Sequence, residues 1–70
     1  MRKFQVSYIL EDHVRSENIV KDLNITAEQI FEEQLKKITT NSFLKIRSKQ
    51  GTDQLDTSLI RYIRVLGLNE

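Results

Sequence analysis

The sequence has 70 residues with no cysteine and no proline, and its 11 basic and 10 acidic side chains leave a formal net charge of +1. A chain of this length makes one small domain, here residues 1–70, that keeps much of its surface in water and has no disulfide to help it. The composition excludes several classes: one histidine without thiolates cannot supply a structural zinc site, and so small a net charge gives no overall pull toward a polyanion. No apolar run is long enough for a signal-peptide core or a membrane span, so the expectation is a cytoplasmic protein with no cofactor and no metal.

Lys3 to Glu11 alternates, with Phe4, Val6, Tyr8 and Leu10 on one side and Lys3, Gln5, Ser7 and Ile9 on the other, which predicts a half-buried strand. Asp12-His13 is read as a tight turn, and Val14 to Asp22 as a second strand completing a hairpin. Its alternation breaks near Asn18-Ile19, which suggests a bulge or a strand end there.

Ile25 to Ile38 carries the strongest helical signal. Thr26 is placed as N-cap, Gln29 completes a capping box, and Ile25 and Ile30 are spaced as a hydrophobic staple. Ala27, Ile30, Phe31, Leu35 and Ile38 form the apolar side. Glu28, Glu32 and Glu33 precede Lys36 and Lys37, the order the helix dipole favours. Asn24-Ile25-Thr26 also matches a glycosylation acceptor, but the capping role of Thr26 is the better reading for a chain with no export signal. Thr39-Thr40-Asn41 is the expected stop, with Asn41 able to turn left-handed.

Ser42 to Lys49 is predicted as a third strand with Leu44 and Ile46 inward, Gln50 to Gln54 as a turn around Gly51, and Asp56-Thr57-Ser58 either as the start of a short helical turn or as a continued extended stretch. Leu59 to Leu66 is the last strand, paired with the third, with Ile63 and Val65 inward, Ile60 reaching the core through a bulge or turn, and Arg61 at the strand end. Residues 66–70 are expected to fray. The fold class is therefore α+β, a small ββαββ domain with one amphipathic helix on one face of a mainly antiparallel sheet. Its core is expected to be Phe4, Val6, Tyr8, Leu10, Val14, Ile30, Phe31, Leu35, Ile38, Leu44, Ile46, Ile63 and Val65.

Reaction chemistry is scarce. His13 is the one side chain whose ordinary pKa lies near neutrality, with Asp12 and Glu11 as possible partners. Adjacent turn residues usually point apart, and no nucleophile accompanies them, so His13 reads as surface turn. Glu28 and Glu32 lie one helical turn apart but lack the further ligands of a carboxylate metal site. Lone Gly51 makes no phosphate loop.

Two surfaces remain. Lys45, Arg47, Tyr62 and Arg64 are expected on the sheet face opposite the helix, where cations and an aromatic ring suit a nucleic-acid partner. Phe43, Ile60, Leu66 and Leu68 have no place in the core and mark a candidate interface. A sheet of four strands is roughly 19 Å wide against roughly 10 to 12 Å for a helix, so apolar surface is left for a second copy or another protein. The functional expectation is a non-enzymatic accessory or regulatory protein that binds another protein as a homodimer. A nucleic-acid-binding module is the alternative, and an enzyme with a site formed between subunits comes third.

Overall fold

The computed structural model describes residues 1–48 and 51–68. Its elements are β1 (Arg2–Ile9), β2 (Val14–Lys21), α1 (Ala27–Thr40), β3 (Phe43–Ser48), β4 (Gly51–Asp56), a 3-10 turn (Thr57–Leu59) and β5 (Tyr62–Leu68). The α+β class and the α-helix stand as expected, but the described residues form five strands in two antiparallel sheets, one ordered β2-β1-β5 and the other the β3-β4 hairpin. The expected turn at Gln50–Gln54 lies mostly within β4, whose Leu55 is buried opposite Leu44. The last strand pairs with β1 rather than with the third strand. Leu66 to Leu68, expected to fray, belong to β5. Lys49, Gln50, Asn69 and Glu70, expected in a strand end, a turn and the tail, lie outside the described residues.

β1 is the central strand, bonded on both sides, and its inward Phe4, Val6 and Tyr8 are buried together with Leu10, which follows its end. Ile30 from the helix, Leu44, Ile46 and Leu55 from the second hairpin, and Ile63 from β5 close the same core. The sheet under the helix is thus three strands wide, roughly 14 Å at the usual strand spacing, and the second hairpin supplies apolar cover that one helix does not. That replaces the picture of a wide sheet under one helix. Ile63 and Val65 do point inward, and the 3-10 turn brings Ile60 against the core, as its position required. Arg61 stands just before β5, where its side chain approaches Glu11 at 3.7 Å.

The first hairpin runs in unbroken register from Arg2↔Lys21 to Ile9↔Val14, with no bulge. Directly paired residues share a sheet face, so pairing Ile9 with Val14 puts Val14 on the open side, 55% exposed and outside the core. The inward side of β2 is instead Arg15, Glu17, Ile19 and Lys21, all half-buried. The apparent break in alternation was a strand whose apolar ends, Val14 and Val20, face out.

The helix begins as its sequence specifies. Thr26 is the N-cap, its Oγ1 accepts from the Gln29 amide at 3.2 Å, and the Gln29 side chain accepts from the Thr26 amide at 2.9 Å. It runs to Thr40, two residues beyond the expected end, with the Thr39 and Thr40 hydroxyls donating back to the Lys36 carbonyl. Asn41 ends it in extended rather than left-handed conformation, with its backbone N–H and its side-chain amide both donating to the Lys37 carbonyl. The buried stripe is Ala27, Ile30, Gln34 and Ile38; Phe31 (38% exposed) and Leu35 (46% exposed), expected in the core, lie on the flank. Gly51 opens β4 with φ +122°, a backbone conformation that a side chain strains.

Thr26→Ala removes one half of the capping box. It should lower stability by roughly 1 kcal/mol, read as a shift in the urea midpoint with an unchanged slope. An unchanged midpoint would place the start of the helix elsewhere.

Candidate functional site

Three surfaces of the described residues are neither core nor plain solvated helix face. The first is the open face of the three-stranded sheet. Across its strands the paired registers set Val14, Ile9 and Tyr62 in one row, Ser16, Ser7 and Arg64 in the next, then Asn18, Gln5 and Leu66, and last Val20, Lys3 and Leu68. Apolar side chains thus hold both ends, with a polar band between them in which Ser7 and Ser16 share a hydrogen bond of 3.0 Å. No carboxylate stands among the paired residues of this face that the structure describes.

The second surface is a groove of about 1020 Å³ between β2, β3 and the C-terminal half of α1. Its floor holds a polar chain. The Tyr8 hydroxyl lies 3.2 Å from a Glu17 carboxylate oxygen and 3.2 Å from the Gln34 side-chain oxygen. One phenolic proton cannot serve both acceptors. With the Gln34 amide turned so that its NH2 donates to the phenol oxygen, the chain runs from Gln34 through Tyr8 to Glu17 and every group is satisfied. That explains why a glutamine, 7% exposed, stands in the buried stripe of α1. Burial raises the Tyr8 hydroxyl well above its ordinary range, with the charge and hydrogen bond of Glu17 adding to the effect. Burial also raises Glu17, against the hydrogen bond from Tyr8 and the charges of Lys37 and Arg47. The walls are cationic: Lys21 and Lys37 each lie 3.7 Å from Glu33, whereas Lys45 and Arg47 have no ion-pair partner within 4 Å among the described residues. Arg15 and Asp53, 2.8 Å apart, tie β2 to β4.

The third surface is the outer edge of β5 with the helix flank beside it. Glu33 leans toward β2 through Lys21, so the opposite flank of α1, with Phe31 and Leu35, lies on the β5 side. Phe31 and Leu35 are both exposed there.

The four residues expected to share one basic face are divided between the two sheets. Tyr62 and Arg64 stand on the open face, while Lys45 and Arg47 stand on the outer side of β3 and line the groove. Of the expected interface residues, Leu66 and Leu68 are on the open face, Phe43 is exposed at the groove, and Ile60 is packed against the core. Asp12 and His13, expected to point apart, share a 2.6 Å contact at the exposed hairpin turn, and the hydrogen bond from His13 holds the Asp12 carboxyl below its ordinary range. Neither lines the groove between β2 and β3, and no cluster of three or more metal-ligating side chains exists among the described residues. Among the described residues no helix is long and apolar enough to cross a membrane. The Tyr8–Gln34–Glu17 chain was missed from sequence, although a glutamine at the helical spacing of buried positions was the available signal. Compared with known proteins, the chain matches no family model, no curated protein and no solved structure.

The raised pKa of Glu17 fixes the sign of a pH effect. The native state holds this proton more tightly than the unfolded chain, so ionisation of Glu17 costs stability as pH rises from the ordinary glutamate value of 4.5 through the raised one. Glu17→Gln should therefore raise the thermal midpoint at pH 7, and the gain should shrink toward zero below pH 4.5. Paired melts across that range test it. A gain that persists in acid would show that charge burial is not its source.

Proposed function

We propose that this is a non-enzymatic binding protein that works as a homodimer, joined edge to edge through β5, and that presents its open sheet face to another protein. The observation that carries the reading is the difference between the two edges of the main sheet. β2 is guarded by charges on its inward side, Arg15, Glu17 and Lys21, a common device against pairing with a further strand. β5 has no such guard: Arg64 is its one charged residue, and the exposed Phe31 and Leu35 stand on the helix flank above it. Antiparallel pairing of β5 with its own copy obeys a two-fold axis, makes a six-stranded sheet from two three-stranded ones and brings the two helix flanks together. The open face then runs across both copies, with Tyr62, Leu66 and Leu68 near its middle. Binding is favoured over catalysis because the single histidine of the sequence, His13, is exposed with Asp12 at the hairpin turn, away from the groove between β2 and β3.

Light scattering should give the mass of two chains at micromolar concentration, and Leu35→Glu should give one chain with unchanged circular dichroism, since Leu35 is already half exposed in the protomer. A wild-type monomer under these conditions would overturn the dimer. For the open face, Leu66→Glu should abolish capture of a protein partner that survives nuclease treatment of the extract. Capture that is lost with nuclease in the wild type would instead indicate nucleic acid.

A further inference from the structure

We infer that the groove between β2 and β3 binds an acidic peptide segment in extended conformation, added as a new strand along the free edge of β2. This site lies on the opposite edge of the sheet from β5 and does not depend on dimerisation. β2 bonds to β1 on one side alone, and β3 to β4 on one side alone, so two unpaired strand edges border the groove without laddering to each other. An extended chain laid there finds the backbone N–H and C=O groups that every edge strand leaves free. The charges choose its chemistry. Lys21, Lys37, Lys45 and Arg47 face the groove against Glu17 and Glu33. Of these acids Glu17 is engaged by Tyr8, and Glu33 is shared by Lys21 and Lys37. Lys45 and Arg47 are exposed cations with no partner within ion-pair distance among the described residues.

The charges on β2 keep an apolar strand off its edge, and the cations Lys45 and Arg47 across the groove on β3 select an acidic one, whose carboxylates meet them while its backbone pairs with β2. A nucleic-acid strand suits the groove less well. It carries a charge at every nucleotide and would meet Glu17 and Glu33, whereas a peptide of period two sends its acidic side chains to one side and offers backbone donors and acceptors to the edge.

The test uses the full chain and a fluorescein-labelled decapeptide of alternating glutamate and valine, followed by fluorescence anisotropy at low salt. Saturable binding is expected, weakened roughly tenfold in the Lys45→Ala/Arg47→Ala double variant, which corresponds to about 1.4 kcal/mol across two exposed charges. Both residues are exposed, so the variant should fold, which its circular dichroism spectrum checks. The same peptide N-methylated at alternate residues should not bind, because methylation removes the donors needed for strand pairing, and an alternating lysine-valine peptide should not bind either. The inference is overturned by any of four results: no saturable binding, equal binding of the methylated peptide, an unchanged affinity in the double variant, or tighter binding of an oligothymidylate than of the acidic peptide.

Discussion

Everything in this fold hangs on the inward side of β1. Phe4, Val6 and Tyr8 occupy alternate positions of a strand bonded on both flanks, so they share one face, and Leu10 just past the strand continues the row; all four are buried. Burying an apolar side chain of this kind is worth roughly 1.5 to 3 kcal/mol, and the helix, the second hairpin and β5 each meet this row rather than one another alone. A domain so small has no second core to fall back on.

The last member of that row to carry a polar group decides what the rest can be. Tyr8 brings a hydroxyl to the boundary of the core, and an unpartnered hydroxyl there is costly. Gln34 from the helix and Glu17 from β2 meet it, so the helix gives up one apolar position and β2 turns a carboxylate inward. The consequence reaches the surface. With Arg15, Glu17 and Lys21 on its inward side, β2 cannot be sealed beneath an apolar layer, and the interval between it and β3 stays open as a charged groove.

The two ends of the sheet therefore differ in kind. One edge is charged and bordered by a groove; the other is largely apolar and continuous with the helix flank that bears Phe31 and Leu35. Two sorts of association are compatible with one small sheet because its edges are chemically unlike.

The local sequence by itself determined β1 and its buried face, the helix with its capping box, the third strand and the α+β class, because each rests on interactions within a few residues: a period of two, a cap and its reciprocal glutamine, a period near 3.6. It also placed Ile63 and Val65 inward. The first hairpin was legible too, but only the tertiary structure decided how the strands after the helix pair and which apolar residues are covered. β4 was hidden because Gly51-Thr52-Asp53-Gln54 is polar, and its strand state comes from laddering with β3 rather than from its own propensity. Val14 is exposed because hairpin register, not hydrophobicity, sets its face. Phe31 and Leu35 are exposed because the covering helix lies over a three-stranded sheet and turns Gln34 toward Tyr8 instead. The candidate sites divide in the same way. Lys45, Arg47, Tyr62 and Arg64 could be picked out as unburied, but their division between two sheets follows from β5 pairing with β1, a contact between residues about sixty positions apart that no local pattern encodes.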